Sequence, residues 1–592
     1  PTTLAPQGHQ YIKDTNEIDR KFGSKYMVLI GITPKEGNIL QPAVLTSVER
    51  LTRKLEATPG VVKATLLSLS AHQVKAIRGT SEGFEARPLM EKAPLTLEES
   101  RKLKALIEAN PTYVNTIVSP DFKTTAVIVE LKERADGFRA MMASVKAVVE
   151  SEKSNGLNIS LGGSPVYYDR TEQLSERMGF LFPLALLVIG LLHYEAFRSK
   201  QGLILPLVTA LMAVIWGTGF IGMSGKQLDI FNSPTPILIL AIAAGHAVQL
   251  LKRYYEEYHL LRQSGGSMSP REASHEAIVR SLIGVGPVML IAGGIAALGF
   301  FSLLAFKIET IRSFGLFTGV GILSAVVLEM TFIPAVRSLL SPPKFTPDTS
   351  REGIWERLTS WASSQVIPEQ KRKVTVSVLA AFALVSLMGM SQVFVDNSSR
   401  SLFSRDIDIQ KDDAFLNNQL GGTNSLYLMV EGPAPDAIKS PQLLKAMESL
   451  QRLAERHAYV GKTVSIVDYL KRMNLAMHAD DPSQNVLPGT KELVSQYLLL
   501  YSLSGDPDDF NSLVDYQYQA AKITVLLKTD KNADVKALLE ELGKASKELF
   551  GPDVKVRFGG DVTQNVALTE TMVQGKLLNI LQIGGTIFVI SA

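Results

Sequence analysis

Cysteine is absent from all 592 residues. That excludes disulfides, thiolate nucleophiles and cysteine-based zinc sites, and it leaves the redox compartment open. Neither sign of charge is in excess: 61 Lys and Arg stand against 58 Asp and Glu. A net charge of +3 makes no basic field of the kind that captures nucleic acid, so no nucleic-acid partner is expected. The sequence also carries no P-loop, no metal-ligand cluster and no nucleophile–base constellation. An enzyme, a resident metal and a cofactor are therefore not expected, and direct ATP hydrolysis is disfavoured.

What the chain does have is apolar residues, 46% of the total, and they are segregated. Residues 1–175 and 396–572 have the mixed composition of water-soluble protein, whereas 178–340 contain long runs almost without charge. A bilayer core needs about 20 apolar residues in a helix. The stretches 178–197, 202–223, 234–251, 282–306, 313–336 and 374–395 meet that length, and another opens near Leu577. Several such runs in close succession exclude a large globular core.

The loops between these runs alternate in charge. Arg198 and Lys200 follow the first run, Lys252 to Arg280 lie between the third and fourth, and Arg337, Lys344, Arg351, Arg357 and Lys371–Lys373 precede the last. The intervening loops hold only Lys226, Lys307 and Arg312. By the positive-inside rule the basic loops face the cytoplasm and both large polar segments face outward. Ser269-Pro270-Arg271-Glu272 reads as a capping box and predicts a short surface helix leading into the run at 282. His193 and Glu195 sit at the end of the first run, where solvation is expected.

The two polar segments repeat one another. FGSKYMVLIGI at 22–32 matches LGGTNSLYLMVEG at 420–432, FKTTAVIVELK at 122–132 matches QAAKITVLLK at 519–528, and NISLGG at 158–163 matches VKVRFGG at 554–560. Helical stretches follow the first two of each set. Each segment thus reads strand–helix–strand, an insertion, then strand–helix–strand, the split βαβ pattern of ferredoxin-like folds. Repeat arithmetic predicts flanking sequence on both sides and about twelve spans in a whole protein.

With that order in place, the chain resembles the resistance-nodulation-division superfamily, and within it the MMPL-like branch of hydrophobe exporters. The most specific stretch is 276–337, with Gly299-Phe300 late in one run, Phe314-Gly315 opening the next and Pro334 near its end. The resemblance implies a polytopic α-helical membrane protein with two extracytoplasmic α+β domains, in a duplicated architecture cut at both ends. Residues 1–177 become a first periplasmic porter-like domain, 178–340 a bundle of five spans and 341–373 a cytoplasmic linker. Residues 374–395 open the second repeat, 396–575 form the second periplasmic domain, and 576–592 begin the next span. It also implies a multi-pass protein of the bacterial inner membrane that uses the proton gradient to export lipid, hopanoid, sterol-like or other amphiphilic cargo.

In many relatives the span matching 234–251 carries an aspartate for the proton. Here Gly245 occupies that position and His246 follows it. Physical reasoning selects His246, because an ionisable group inside a span is costly and an imidazole titrates nearest neutral pH. Gln249 and Arg253 extend a polar stripe along the same helical face. Glu329 is the other charge deep in a run, at a depth similar to that of His246. Gly284, Gly286, Gly293 and Gly294 suit close helix packing. Partners expected besides cargo and membrane lipid are a homo-oligomer, a periplasmic adaptor or an outer-membrane component. The alternative readings are a sterol- or lipid-sensing protein and a protein-translocation accessory of the same fold.

Overall fold

A computed structural model describes residues 5–591 apart from 24–25, 82, 133–136, 154–155, 198, 227–231, 264–267, 344–353, 391, 393–395 and 397. Arg198, Lys344 and Arg351, and with the last two much of the stretch read as a linker, lie outside the described residues.

In chain order the first part carries α1 (Gln10–Phe22), β1 (Met27–Pro34), α2 (Pro42–Glu56), β2 (Lys75–Thr80), β3 (Gly83–Pro88), α3 (Leu97–Ala109), β4 (Thr125–Glu130), α4 (Phe138–Glu152) and β5 (Leu157–Gly162). Long helices follow: α5 (Ser164–Phe197), α6 (Lys200–Met223), α7 (Thr235–Gln263), α8 (Pro270–Phe301) and α9 (Glu309–Leu339). After α10 (Ile354–Val366) and α11 (Glu369–Met390) come α12 (Asp408–Gln419), β6 (Asn424–Glu431), α13 (Pro441–Ala454), β7 (Val460–Val464), α14 (Ile466–Met477), α15 (Lys491–Ser504), β8 (Ala520–Leu527), α16 (Asn532–Leu549), β9 (Lys555–Gly559) and α17 (Asp561–Ser591). The chain forms two compact units, one holding the sheets and one the long apolar helices.

In the sheet-bearing unit β1 lies between β4 and β5, and β6 lies between β8 and β9, all antiparallel. These central strands read as near-continuous apolar runs because both their faces are covered. Leu29 pairs with Ile128 and Gly162, and Leu428 with Ile523 and Phe558. The second sheet has a fourth strand, β7, beside β8. Its counterpart in the first sheet is only two isolated bridges, Val61 to Leu131 and Leu67 to Ile128, because a 3₁₀ turn at Lys63–Thr65 interrupts the run.

The two repeats exchange parts. Ile18 and Phe22 of α1 pack with Tyr427, Met429 and Ala520 of the second sheet. Reciprocally, Leu416 of α12 and the following Leu420 complete the core of the first sheet. The β2–β3 hairpin of the first repeat buries Ile77, Phe84 and Ala86 in the second core, where Arg472 donates to the Ile77 carbonyl at 3.1 and 2.7 Å. Repeat periodicity shows that two similar segments exist, but not that each lends a helix to the other.

Asp561 opens α17 with 6% of its surface exposed, and its carboxylate accepts the Ser425 hydroxyl at 2.6 Å. Burial pushes its pKa up to about 6, against the opposing bond from Ser425. A carboxyl whose folded pKa exceeds its unfolded one binds its proton more tightly when folded. Stability therefore falls as pH rises from about 4 to about 6, and the full cost applies above that. Asp561→Asn is expected to raise stability at pH 7 by on the order of 2–3 kcal/mol. The gain should disappear below about pH 4, as read from melting temperatures across that range.

In the helical unit, six helices among the described residues are long and apolar enough to cross a membrane: α5 to α9, and α11 over Lys371–Met390. The protein is thus a multi-pass membrane protein. The capping box at Ser269 and Glu272 is present with Pro270 at the first helical position. It starts no separate surface helix, however. Helix α8 runs unbroken from Pro270 to Phe301, with Pro287 in its interior. Helix α10 was not expected from the run pattern.

Candidate functional site

Small residues on α7 let it sit deep in the bundle. Ala243, Ala244 and Ala247 are fully or almost fully buried, and they leave His246 on the flank between them. From α9, Glu329 projects with no exposed surface. His246 Nδ1 and Glu329 Oε2 lie 3.4 Å apart, and the imidazole side chain is 15% exposed. Among the described residues, neither that nitrogen nor either carboxylate oxygen has a hydrogen-bonding partner. A third helix closes the site. On α8, a Cβ at Gly293 would lie 2.3 Å from Val326 Cγ2 and 3.5 Å from His246 Cε1, so only glycine lets α8 approach this closely. Of the other glycines in that run, Gly294 faces open space, and Gly284 and Gly286 would accept a Cβ in ordinary contact.

Sequence reasoning put His246 and Glu329 at one depth, and the structure brings them together. It does not extend the site along Gln249 and Arg253. Gln249 is exposed, and Arg253 is drawn to Glu257 at 2.5 Å and Glu256 at 3.6 Å on its own helix. The i+3 and i+7 spacing is right, but the carboxylates one turn ahead on α7 hold the guanidinium along its own helix.

Chemically, His246 and Glu329 form one site that can gain or lose a proton while changing its net charge by one. Charged together or neutral together, they carry no net charge. A lone charge in either place would be costly in a lipid-embedded bundle, so the pair is suited to holding one proton between its two groups.

Two further residues sit where composition did not place them. His193, expected to be solvated, is only 4% exposed. Its Nδ1 is 2.7 Å from the Ile189 carbonyl and its Nε2 3.3 Å from the Ala244 carbonyl of α7. The expectation failed because the alanine face of α7 admits a ring from α5 where a larger side chain would expel it. Arg337, counted above with the cytoplasmic charges, is 1% exposed. It stacks 5.0 Å over Tyr254 and donates to the Gln201 side chain and the Ser341 carbonyl. Tyr254 in turn bonds Ser274 at 2.8 Å, so α6, α7, α8 and α9 are tied together at one end.

In the sheet-bearing unit, a cavity of about 90 Å³ is lined from both repeats. Glu130, Asp509 and Lys522 face it beside Leu67, Ile128 and Leu526. Burial draws the Lys522 ammonium below the ordinary lysine range, opposed by the charges of Glu130 and Asp19. Burial raises the Asp509 carboxyl, opposed by Lys75. In this arrangement the cavity has room for a few water molecules, at about 30 Å³ each.

The MMPL family model matches residues 3–368. The membrane protein ActII-3 of Streptomyces coelicolor is 25% identical over 287 residues, which are 45% of this chain and 38% of ActII-3. The membrane protein MJ1562 of Methanocaldococcus jannaschii is 22% identical over 350 residues, 56% of this chain and 82% of that protein. The hopanoid transporter HpnN of Burkholderia multivorans is 23% identical over 197 residues, 33% of this chain and 21% of HpnN. The matched part is thus well under half of ActII-3 and about a fifth of HpnN.

Proposed function

The chain belongs to the MMPL family, and from that membership we propose a proton-driven exporter of hydrophobic or lipid-like molecules, working from a bacterial inner membrane toward the periplasm. The observation that carries the reading is the His246–Glu329 pair, 3.4 Å apart between spans. An intramembrane acid and imidazole facing each other are a functional site by default, and proton handling is the chemistry they share. The similarity to a hopanoid transporter supports a lipid-like cargo. The basic loops support an orientation in which both sheet-bearing repeats lie on the periplasmic side. Proton binding at the pair biases a rocking of the helical repeats, and cargo leaves by way of the paired outer domains.

The test is proton uptake by the full-length protein in proteoliposomes, with and without a hopanoid or sterol-like lipid. Uptake stimulated by the lipid is the expected result. Tight lipid binding without any uptake would overturn the exporter and favour a lipid sensor of the same architecture.

A further inference from the structure

A neutral imidazole has one N–H donor and one lone pair, whereas an imidazolium has two donors. His193 has carbonyl oxygens at both nitrogens, Ile189 at 2.7 Å and Ala244 at 3.3 Å. The first acceptor lies one turn back on its own helix α5, and the second lies on α7. A neutral ring can donate to only one of them and must turn a lone pair toward the other. A charged ring donates to both.

We infer that His193 is a second intramembrane proton-binding residue, whose protonation ties α5 to α7 through the Ala244 carbonyl. This goes beyond the His246–Glu329 site and stands without it.

The surroundings leave the two carbonyls in control. On α5 the neighbouring titratable groups Tyr194 and Glu195 are exposed, while Phe197 offers its ring at 6.4 Å. On α6, Lys200 is exposed, and the buried Thr209 hydroxyl is occupied by the Leu205 carbonyl. On α7, His246 is directed to Glu329 of α9. Ala244 and His246 are two residues apart, about 200° around the helix, so they face different neighbours. Among the described residues no carboxylate forms an ion pair with His193, and only 4% of the residue is exposed.

The consequence is mechanical. With the proton on, two bonds fix the ring between α5 and α7. With it off, the longer Ala244 bond is the one released, because the bond to Ile189 is local to α5 and shorter. Helix α7 carries both His193's acceptor and His246, so the state of one residue is set against the position of the other.

The inference is tested without mutation by solid-state NMR of the full-length protein in lipid, labelled with ¹⁵N-histidine and ¹³C-carbonyl alanine. Dipolar contact between a ring nitrogen and an alanine carbonyl picks out His193. The expected result is a ring that holds a proton on both nitrogens in acid and gives one up, together with its alanine contact, as the pH is raised. A selected ring that stays singly protonated throughout overturns the inference. So does one whose alanine contact is indifferent to its protonation. The functional counterpart is His193→Gln, which keeps one donor and cannot titrate. It is expected to flatten one limb of the pH profile of proton uptake while the melting temperature stays that of the wild type. An unchanged profile would count against the role.

Discussion

Glu329→Gln is expected to cut lipid-stimulated proton uptake by at least about 100-fold, the lower range for loss of a group that transfers the proton itself. The amide keeps the size of the side chain and a hydrogen-bonding capacity toward His246 Nδ1, so the helices α7 and α9 should still pack. What it removes is the exchangeable proton. His246→Ala is expected to lose uptake to a similar extent and to be the less stable variant, because it takes from Glu329, with no exposed surface, the imidazole that faces it. The informative comparison is the double variant. Groups that act as one unit are not additive, so losing both should cost no more uptake than losing either, within about threefold. If the single losses instead multiply, the two residues serve separate steps and the pair is not one proton site. If Glu329→Gln retains uptake, the proton passes elsewhere, and the pair is a packing feature of the bundle.

The legible part of this protein and the illegible part divide along physical lines. Length and hydropathy expose the spans because a helix in lipid must satisfy its own backbone and show apolar side chains outward. The pairing of His246 with Glu329 was half legible. Counting residues from Lys252 and Arg337 sets their depth, but rotation about each helix depends on packing, here on Gly293 and the alanines of α7. His193 was misread for the same reason: its sequence position says membrane edge, and only the small residues across from it make that edge an interior. The ion pairs of Arg253 were not legible, since helical spacing says which residues share a face and not which carboxylate captures a guanidinium. In the sheet-bearing unit the strands were visible as repeated apolar runs. The exchange of α1 and α12 was not, because an amphipathic helix has the same pattern whichever sheet it covers.

That exchange yields the second large prediction. Leu416 belongs to the second repeat but is wholly buried in the first repeat's core. Leu416→Ala is expected to destabilise the unit by about 3 kcal/mol, the middle of the range for a buried leucine that leaves a cavity. The site is tight from the other side as well: a Cβ on Gly31, at the centre of β1, would lie 2.3 Å from Leu416 Cδ2. Gly31→Ala therefore forces the leucine out of its place, at an expected cost of about 1–3 kcal/mol for overpacking. Combined, the two changes should partly compensate, because the methyl added to β1 enters space vacated by α12. The double variant is expected to be more stable than the sum of the singles predicts by about 1–2 kcal/mol, a coupling reserved for residues in contact. Gly162 and Thr423 bound the same pocket, since a Cβ at Gly162 would meet Thr423 Cγ2 at 2.9 Å and Leu416 Cδ1 at 3.0 Å, so the rescue should be incomplete. Melting of the full chain and its three variants in one detergent measures the cycle. Additive losses would mean that α12 does not rest on β1, and the repeats would then be free to separate as independent domains. Coupling of the expected size would mean that any opening of the sheet-bearing unit must carry α12 along with the first sheet, moving the two repeats as interlocked parts.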